Sequence, residues 1–107
     1  MNFDDITVDQ LKLRIDHGES LQIIDVREPH ELEFSIMDQA THIPLGELED
    51  RLGELDPTLD TMVLCRSGMR SAKGADILVE NGFKSVFNIV GGINQWAMEI
   101  DTDLAVY

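Results

Sequence analysis

Three short apolar runs, Leu21-Gln-Ile-Ile-Asp-Val-Arg27, Thr61-Met-Val-Leu-Cys65 and Val86-Phe-Asn-Ile89, each lead into a stretch with helical spacing. Runs that stay apolar through the middle, rather than alternating, suit strands buried on both faces. Their alternation with helical segments of about ten residues indicates βαβ units, so the expected architecture is α/β, a parallel sheet covered by helices on both faces. In such sheets ligands sit beyond the carboxyl ends of the strands, where βα loops meet helix N-termini. The loop after Cys65 lies at that edge.

The helical segments carry their own signals. Thr7-Val-Asp-Gln10 can form a reciprocal capping box, Leu11 and Ile15 follow one turn apart, and Gly18 supplies a stop. Pro29 stands at the start of a short acidic helix over 28–33. Thr41-His-Ile43 is a weak strand ended by Pro44, and Leu45, Leu48 and Leu52 have helical spacing. Ala72 to Glu80 reads as a helix closed by Asn81-Gly82; Gly91-Gly92 is a turn, and Ile93 to Ile100 a last helix carrying Trp96. The tail Asp101 to Tyr107 is expected to be extended.

The chain has 107 residues, enough for one domain over 1–107 that buries about two-thirds of its extended surface. No unbroken apolar run approaches the roughly 20 residues needed to cross a bilayer, so no membrane span is expected. Cys65 is the single cysteine and cannot form an internal disulfide, and no secretory leader opens the chain, which points to a reducing, cytoplasmic setting. With 8 Lys and Arg against 21 Asp and Glu the formal charge is −13, which argues against a nucleic-acid partner. Charge is unevenly spread: Arg66, Arg70 and Lys73 cluster, and no acidic residue falls between Asp60 and Asp76. That cationic spot surrounds the cysteine.

A lone cysteine closing an apolar strand is by default a small buried hydrophobe. Here a glycine, two arginines and a helix follow it, and backbone N–H groups can converge on one anionic atom. Helix N-terminus and fixed cations together lower a thiol pKa, so Cys65 is expected to be reactive and largely thiolate at neutral pH. Gly68 lets the loop turn tightly, and Ser67 and Ser71 offer hydroxyl donors. Arg70 is expected to point at the bound anion; Arg66 reads equally as a solvated charge, and Lys73 as surface. Protein tyrosine phosphatases place five residues between nucleophilic Cys and phosphate-binding Arg, whereas four separate Cys65 from Arg70. The smaller ring suits a sulfur atom carried as a persulfide.

Ile24-Asp-Val-Arg-Glu-Pro-His-Glu31, His42-Ile-Pro-Leu45, Cys65-Arg-Ser-Gly-Met-Arg-Ser71 and Val90-Gly-Gly-Ile-Asn-Gln-Trp96 together resemble the rhodanese (sulfurtransferase) domain family over nearly the whole chain. The resemblance implies a five-stranded parallel sheet flanked by helices. It also implies a six-residue loop in which Cys65 accepts sulfane sulfur, with Arg66, Ser67, Gly68, Met69 and Arg70 as the cradle and Ser71 at its end. Glu33-Phe34, His42 to Leu48, Trp96 to Asp101 and Val106-Tyr107 are most similar to the C-terminal rhodanese domain of MoeB/ThiF-type adenylyltransferases. On that reading the chain is a domain of a longer polypeptide ending naturally at Tyr107, with an associated adenylyltransferase domain as partner. One departure is the stretch Ser35-Ile-Met-Asp-Gln-Ala40, where many rhodaneses have Gly-His-Ile and Gly-Ala and this chain keeps only the Ala.

The activity implied is that of a thiosulfate sulfurtransferase (rhodanese). The Cys65 thiolate takes sulfur from thiosulfate or a cysteine desulfurase as a persulfide. It then passes the sulfur to a thiol, to cyanide or to a ubiquitin-like sulfur-carrier protein of molybdopterin or thiamine biosynthesis or tRNA thiolation. No cofactor is needed. A phosphatase or arsenate-reductase-like relative is disfavoured by loop length, and a non-catalytic docking module by the intact Cys65. Asp25, Arg27 and Glu31 are expected to form a structural ion-pair network, and Trp96 to lie in the core. His17, His30 and His42 lack metal spacing, so no metal is expected. The acidic residues between Glu47 and Asp56 read as a solvated face.

Overall fold

The computed structural model describes residues 2–107. Five parallel strands form one sheet: β1 (Asp4–Ile6), β2 (Leu21–Asp25), β3 (Thr41–His42), β4 (Asp60–Leu64) and β5 (Val86–Ile89), in the spatial order β1-β5-β4-β2-β3. Helices α1 (Val8–Asp16), α2 (Met69–Glu80) and α3 (Gly92–Glu99) connect or follow them. The five-stranded parallel α/β fold expected from the sequence is therefore the fold observed.

Strand β4 is central, with Met62 in register with Ile23 of β2 and Phe87 of β5. Side chains alternate across a strand, so Met62 and Leu64 pack with Ile6, Val8, Leu11, Ile93 and Trp96 beneath α1 and α3. Val63 and Cys65 face the other way, into a cluster with Ile24, Val26, Leu48, Ala75 and Leu78 beneath α2. Two half-cores thus clamp β4, and each fully buried aliphatic side chain contributes about 1.5–3 kcal/mol of transfer free energy. The apolar run Met62-Val-Leu-Cys65 exists because both faces are covered. Trp96 lies in the core as expected, at 3% exposure.

Several boundaries differ from the sequence reading. Strand β1 was not legible: its only buried residue is Ile6, the other two being exposed acids on the sheet edge. The Thr7 capping box on α1 forms as read, with Thr7 Oγ1 accepting from the Gln10 N–H and the Thr7 N–H donating to Gln10 Oε1. The helical spacing at Leu45–Leu52 produces two 3₁₀ turns, Leu45–Glu47 and Glu49–Glu54, and Pro29–Glu33 is also 3₁₀. Helix α2 starts at Met69, three residues before the expected Ala72, so Arg70 and Ser71 belong to its first turn. The tail 101–107 turns at Asp101–Leu104 and brings Tyr107 back over the carboxyl edge of the sheet.

Candidate active site

The chain leaves β4 at Cys65, turns through Arg66 and Ser67, and enters α2 from Gly68, whose φ of +111° is left-handed. This loop is braced by α3. The Ile93 N–H donates to the Cys65 carbonyl at 2.9 Å and the Asn94 N–H to the Arg66 carbonyl at 3.2 Å. So close an approach admits only glycine at position 92: a Cβ there would lie 2.4 Å from the Arg66 carbonyl oxygen, and its φ is +59°. The Gly91-Gly92 turn anticipated from the sequence thus locks the cysteine loop to α3.

Cys65 is 1% exposed. The Gly68 N–H donates to Sγ at 3.1 Å, and the thiol donates to the Ser71 hydroxyl oxygen at 3.3 Å. Burial pushes the thiol pKa up, but hydrogen bonding from the Ser71 hydroxyl and from the backbone N–H groups of Ser71, Gly68 and Ser67 outweighs it, leaving the thiol below its ordinary value. The expected direction is met, through hydrogen bonds from the loop and the first turn of α2. First-turn amides have no partner within their helix, which frees them to point at an anion.

The two arginines flanking the loop are engaged elsewhere. Arg70 forms a two-pronged ion pair with Glu31, NH1 to Oε1 at 2.5 Å and NH2 to Oε2 at 2.8 Å. Arg66 donates from Nε to the Tyr107 carbonyl at 2.5 Å and lies 4.8 Å over that residue's ring. Ser67 and Met69 are exposed, Met69 at 81%, and Lys73 is on the surface as expected. Gly68 and Ser71 therefore meet at the Cys65 sulfur, Arg70 stands at the rim of the loop on Glu31, and Arg66 turns outward to Tyr107.

The expected network of Asp25, Arg27 and Glu31 is corrected in one respect. Arg27, fully buried, pairs with both carboxylate oxygens of Asp25 and donates to the backbone carbonyls of Glu31 and Ser35. The Glu31 carboxylate pairs with Arg70 instead and also accepts from the Tyr107 hydroxyl at 2.6 Å. The hydrogen bonds from Arg70, joined by those from the Tyr107 hydroxyl and the Glu28 N–H, outweigh the upward push of burial and hold the Glu31 carboxyl well below the usual carboxylate range. Tyr107, given no place at the site by the sequence reading, stacks on Phe34 at 4.9 Å and receives a hydrogen bond from Arg27 at 2.9 Å. Asn88 was likewise missed; its only signal was a polar residue inside the short apolar run of β5. Among the described residues no group of three or more His, Cys, Asp or Glu is placed to hold a metal, and no helix is long and apolar enough to cross a membrane.

A parallel α/β sheet with a buried cysteine at the exit of its central strand, leading through a glycine loop into a helix N-terminus, defines a class of cysteine-loop domain. The chain belongs to the rhodanese-like domain family, whose model matches residues 7–99. It is 40% identical over 92 residues to the Bacillus subtilis protein named "Putative sulfur carrier protein YrkF", covering 86% of this chain and half of that protein. To "Putative sulfurtransferase YtwF" of the same organism it is 38% identical over 99 residues, covering 92% and 95% of the two chains. A Zea mays protein, "Adenylyltransferase and sulfurtransferase MOCS3-1", is 34% identical over 109 residues, and the match spans only 23% of it. The crystal structure of a rhodanese-like domain protein from Staphylococcus aureus superposes with a TM-score of 0.84 at 30% identity, covering 98% of this chain and 99% of that one.

Proposed function

We propose that this protein is a sulfurtransferase working through a Cys65 persulfide. The observation that carries the reading is the buried Cys65 sulfur at the N-terminus of α2, accepting the Gly68 N–H at 3.1 Å with the Ser71 hydroxyl 3.3 Å away, a setting that holds the thiol below its ordinary pKa. With thiosulfate as donor, the Cys65 thiolate attacks the sulfane sulfur, the S–S bond breaks and sulfite leaves, giving Cys65–S–S⁻. A desulfurase persulfide would donate in the same way and leave as its thiolate. An acceptor nucleophile then attacks the outer sulfur and restores the Cys65 thiolate; cyanide would leave as thiocyanate. The amide ring stabilises charge on the outer sulfur, as an oxyanion hole does for oxygen. The relatives whose names carry sulfur-carrier and sulfurtransferase roles support this chemistry. An acceptor thiol or a ubiquitin-like carrier protein, a cytoplasmic setting and an adenylyltransferase partner belong to the same proposal.

Intact mass after incubation with thiosulfate or a desulfurase, read before and after cyanide, tests it. Gain of one sulfur atom, lost to cyanide and absent in Cys65→Ser, is expected. A Cys65→Ser variant that still takes up sulfur would overturn the assignment. Phosphoester hydrolysis without any sulfur gain would move the loop to phosphate chemistry.

A further inference from the structure

Asn88 lies within β5, between Val86 and Ile89, and its side chain bridges to the cysteine loop. Its Nδ2 donates to the Gly68 carbonyl at 3.1 Å, and its Oδ1 accepts from the Ser71 hydroxyl at 2.5 Å. A carbonyl has no hydrogen to give, so Gly68 selects the amino end of the amide and leaves the oxygen end facing Ser71. Ser71 has one hydroxyl hydrogen. While it is committed to Asn88, the Ser71 oxygen offers its lone pairs to Cys65, and the thiol donates to it. Ionisation reverses what the sulfur requires: a thiolate only accepts, so the Ser71 hydroxyl must turn to it and leave Asn88 Oδ1 without that donor.

We infer that Asn88 is a positioning residue acting through Ser71, holding the Ser71 hydrogen away from Cys65 until the sulfur loses its proton. The hydroxyl is thereby a two-position donor, turned to β5 over the thiol and to the sulfur over the thiolate. This inference rests on the proposed role of Cys65 and adds the group that sets when its sulfur ionises. The charged neighbour from α2 is Arg70, whose own pKa is raised chiefly by Glu31 and in smaller part by Cys65. Arg66 of the loop is turned to Tyr107, Asp25 of β2 is paired with Arg27, and Asp60 stands at the far end of β4. Strand β5 and the first turn of α3 carry no ionisable side chain. The competition for the Ser71 hydrogen is thus local to the Asn88–Ser71–Cys65 chain.

The test is the pH profile of Cys65 alkylation by iodoacetamide, which reports the thiolate fraction, in the wild type, Asn88→Ala, Asn88→Val, Ser71→Ala and the Asn88→Ala/Ser71→Ala double variant, each checked for folding by circular dichroism. Removing the competing acceptor is expected to lower the midpoint by about half a pH unit or more, the scale of one hydrogen bond. Ser71→Ala is expected to raise it, and adding Asn88→Ala to Ser71→Ala to leave it there. A raised midpoint in both Asn88 variants, or an equal change with and without the Ser71 hydroxyl, would overturn the inference, since either shows Asn88 acting on the loop backbone rather than through Ser71. Alkylation needs no sulfur transfer. A wild type that gains no sulfur from either donor therefore counts against the proposed function alone, and the profile still decides the role of Asn88.

Discussion

Glu31 and Arg70, 39 positions apart in the chain, meet through two parallel hydrogen bonds at the rim of the cysteine loop. The pair cancels the positive charge that Arg70 brings to this edge, in a protein already at −13. Glu31→Gln keeps the shape and removes the opposing charge, which leaves Arg70 a net cation beside Cys65. The thiosulfate KM is expected to fall by about three- to tenfold at low salt, and by less at high salt where exposed charges are screened. Steady-state thiocyanate formation at two ionic strengths reads it. An unchanged or higher KM would show that Arg70 needs Glu31 in order to bind the anion.

The same pair gives a pH dependence with a definite sign. Bonding to Arg70 holds the folded Glu31 carboxyl far below the roughly 4.3 of an unfolded glutamate. Its contribution to stability is therefore fully present above that unfolded value and is lost as pH falls through the folded one. The difference in melting temperature between wild type and Glu31→Gln is expected to stay constant from about pH 7 to 5 and to shrink below about pH 4. A difference that grew on acidification would contradict the ion pair.

Where local chemistry decides structure, the sequence was readable. The Thr7 capping box, the glycine turn at 91–92 and, to within two residues at their ends, the buried strands β2, β4 and β5 follow from residue type and spacing alone. Strand β1 was not, because an edge strand with one inward side chain has no pattern to show. The cysteine loop was legible as a compact run of Cys, Gly and Arg. Its remote partners were not: Glu31, Asn88 and Tyr107 reach it from other elements, and nothing in a local window links Tyr107 to Arg66 or Arg27. The sequence accordingly placed Arg70 on the anion, with no sign of the carboxylate that claims it.

Arg27 is buried against Asp25, itself 3% exposed. Breaking such a pair from one side strands the other charge, so Arg27→Ala is expected to cost about 3–5 kcal/mol in denaturant unfolding. Replacing both residues by apolar ones removes the stranded carboxylate. The double variant Asp25→Leu/Arg27→Leu should therefore lose less than Arg27→Ala alone, and a larger loss would show that what the Asp25 carboxylate itself holds, the backbone N–H of residue 27, outweighs the cost of the stranded charge.

Gly92 carries the last prediction. Its φ of +59° is one that side chains rarely adopt, and a Cβ would strike the Arg66 and Cys65 backbone, groups that cannot give way without moving the loop. Gly92→Ala combines backbone strain with a steric clash and is expected to cost about 3 kcal/mol or more. It should also slow Cys65 alkylation at fixed pH, because the Gly68 N–H and the Ser71 hydroxyl would lose their aim at the sulfur. Gly53 is the control: it has no positive φ, and a Cβ there would meet nothing within 4 Å. Gly53→Ala is expected to stay within about 0.5 kcal/mol of wild type with unchanged alkylation. Equal behaviour of the two variants would mean that contact with α3 does not hold the cysteine loop, and that its geometry is fixed from the β4 side alone.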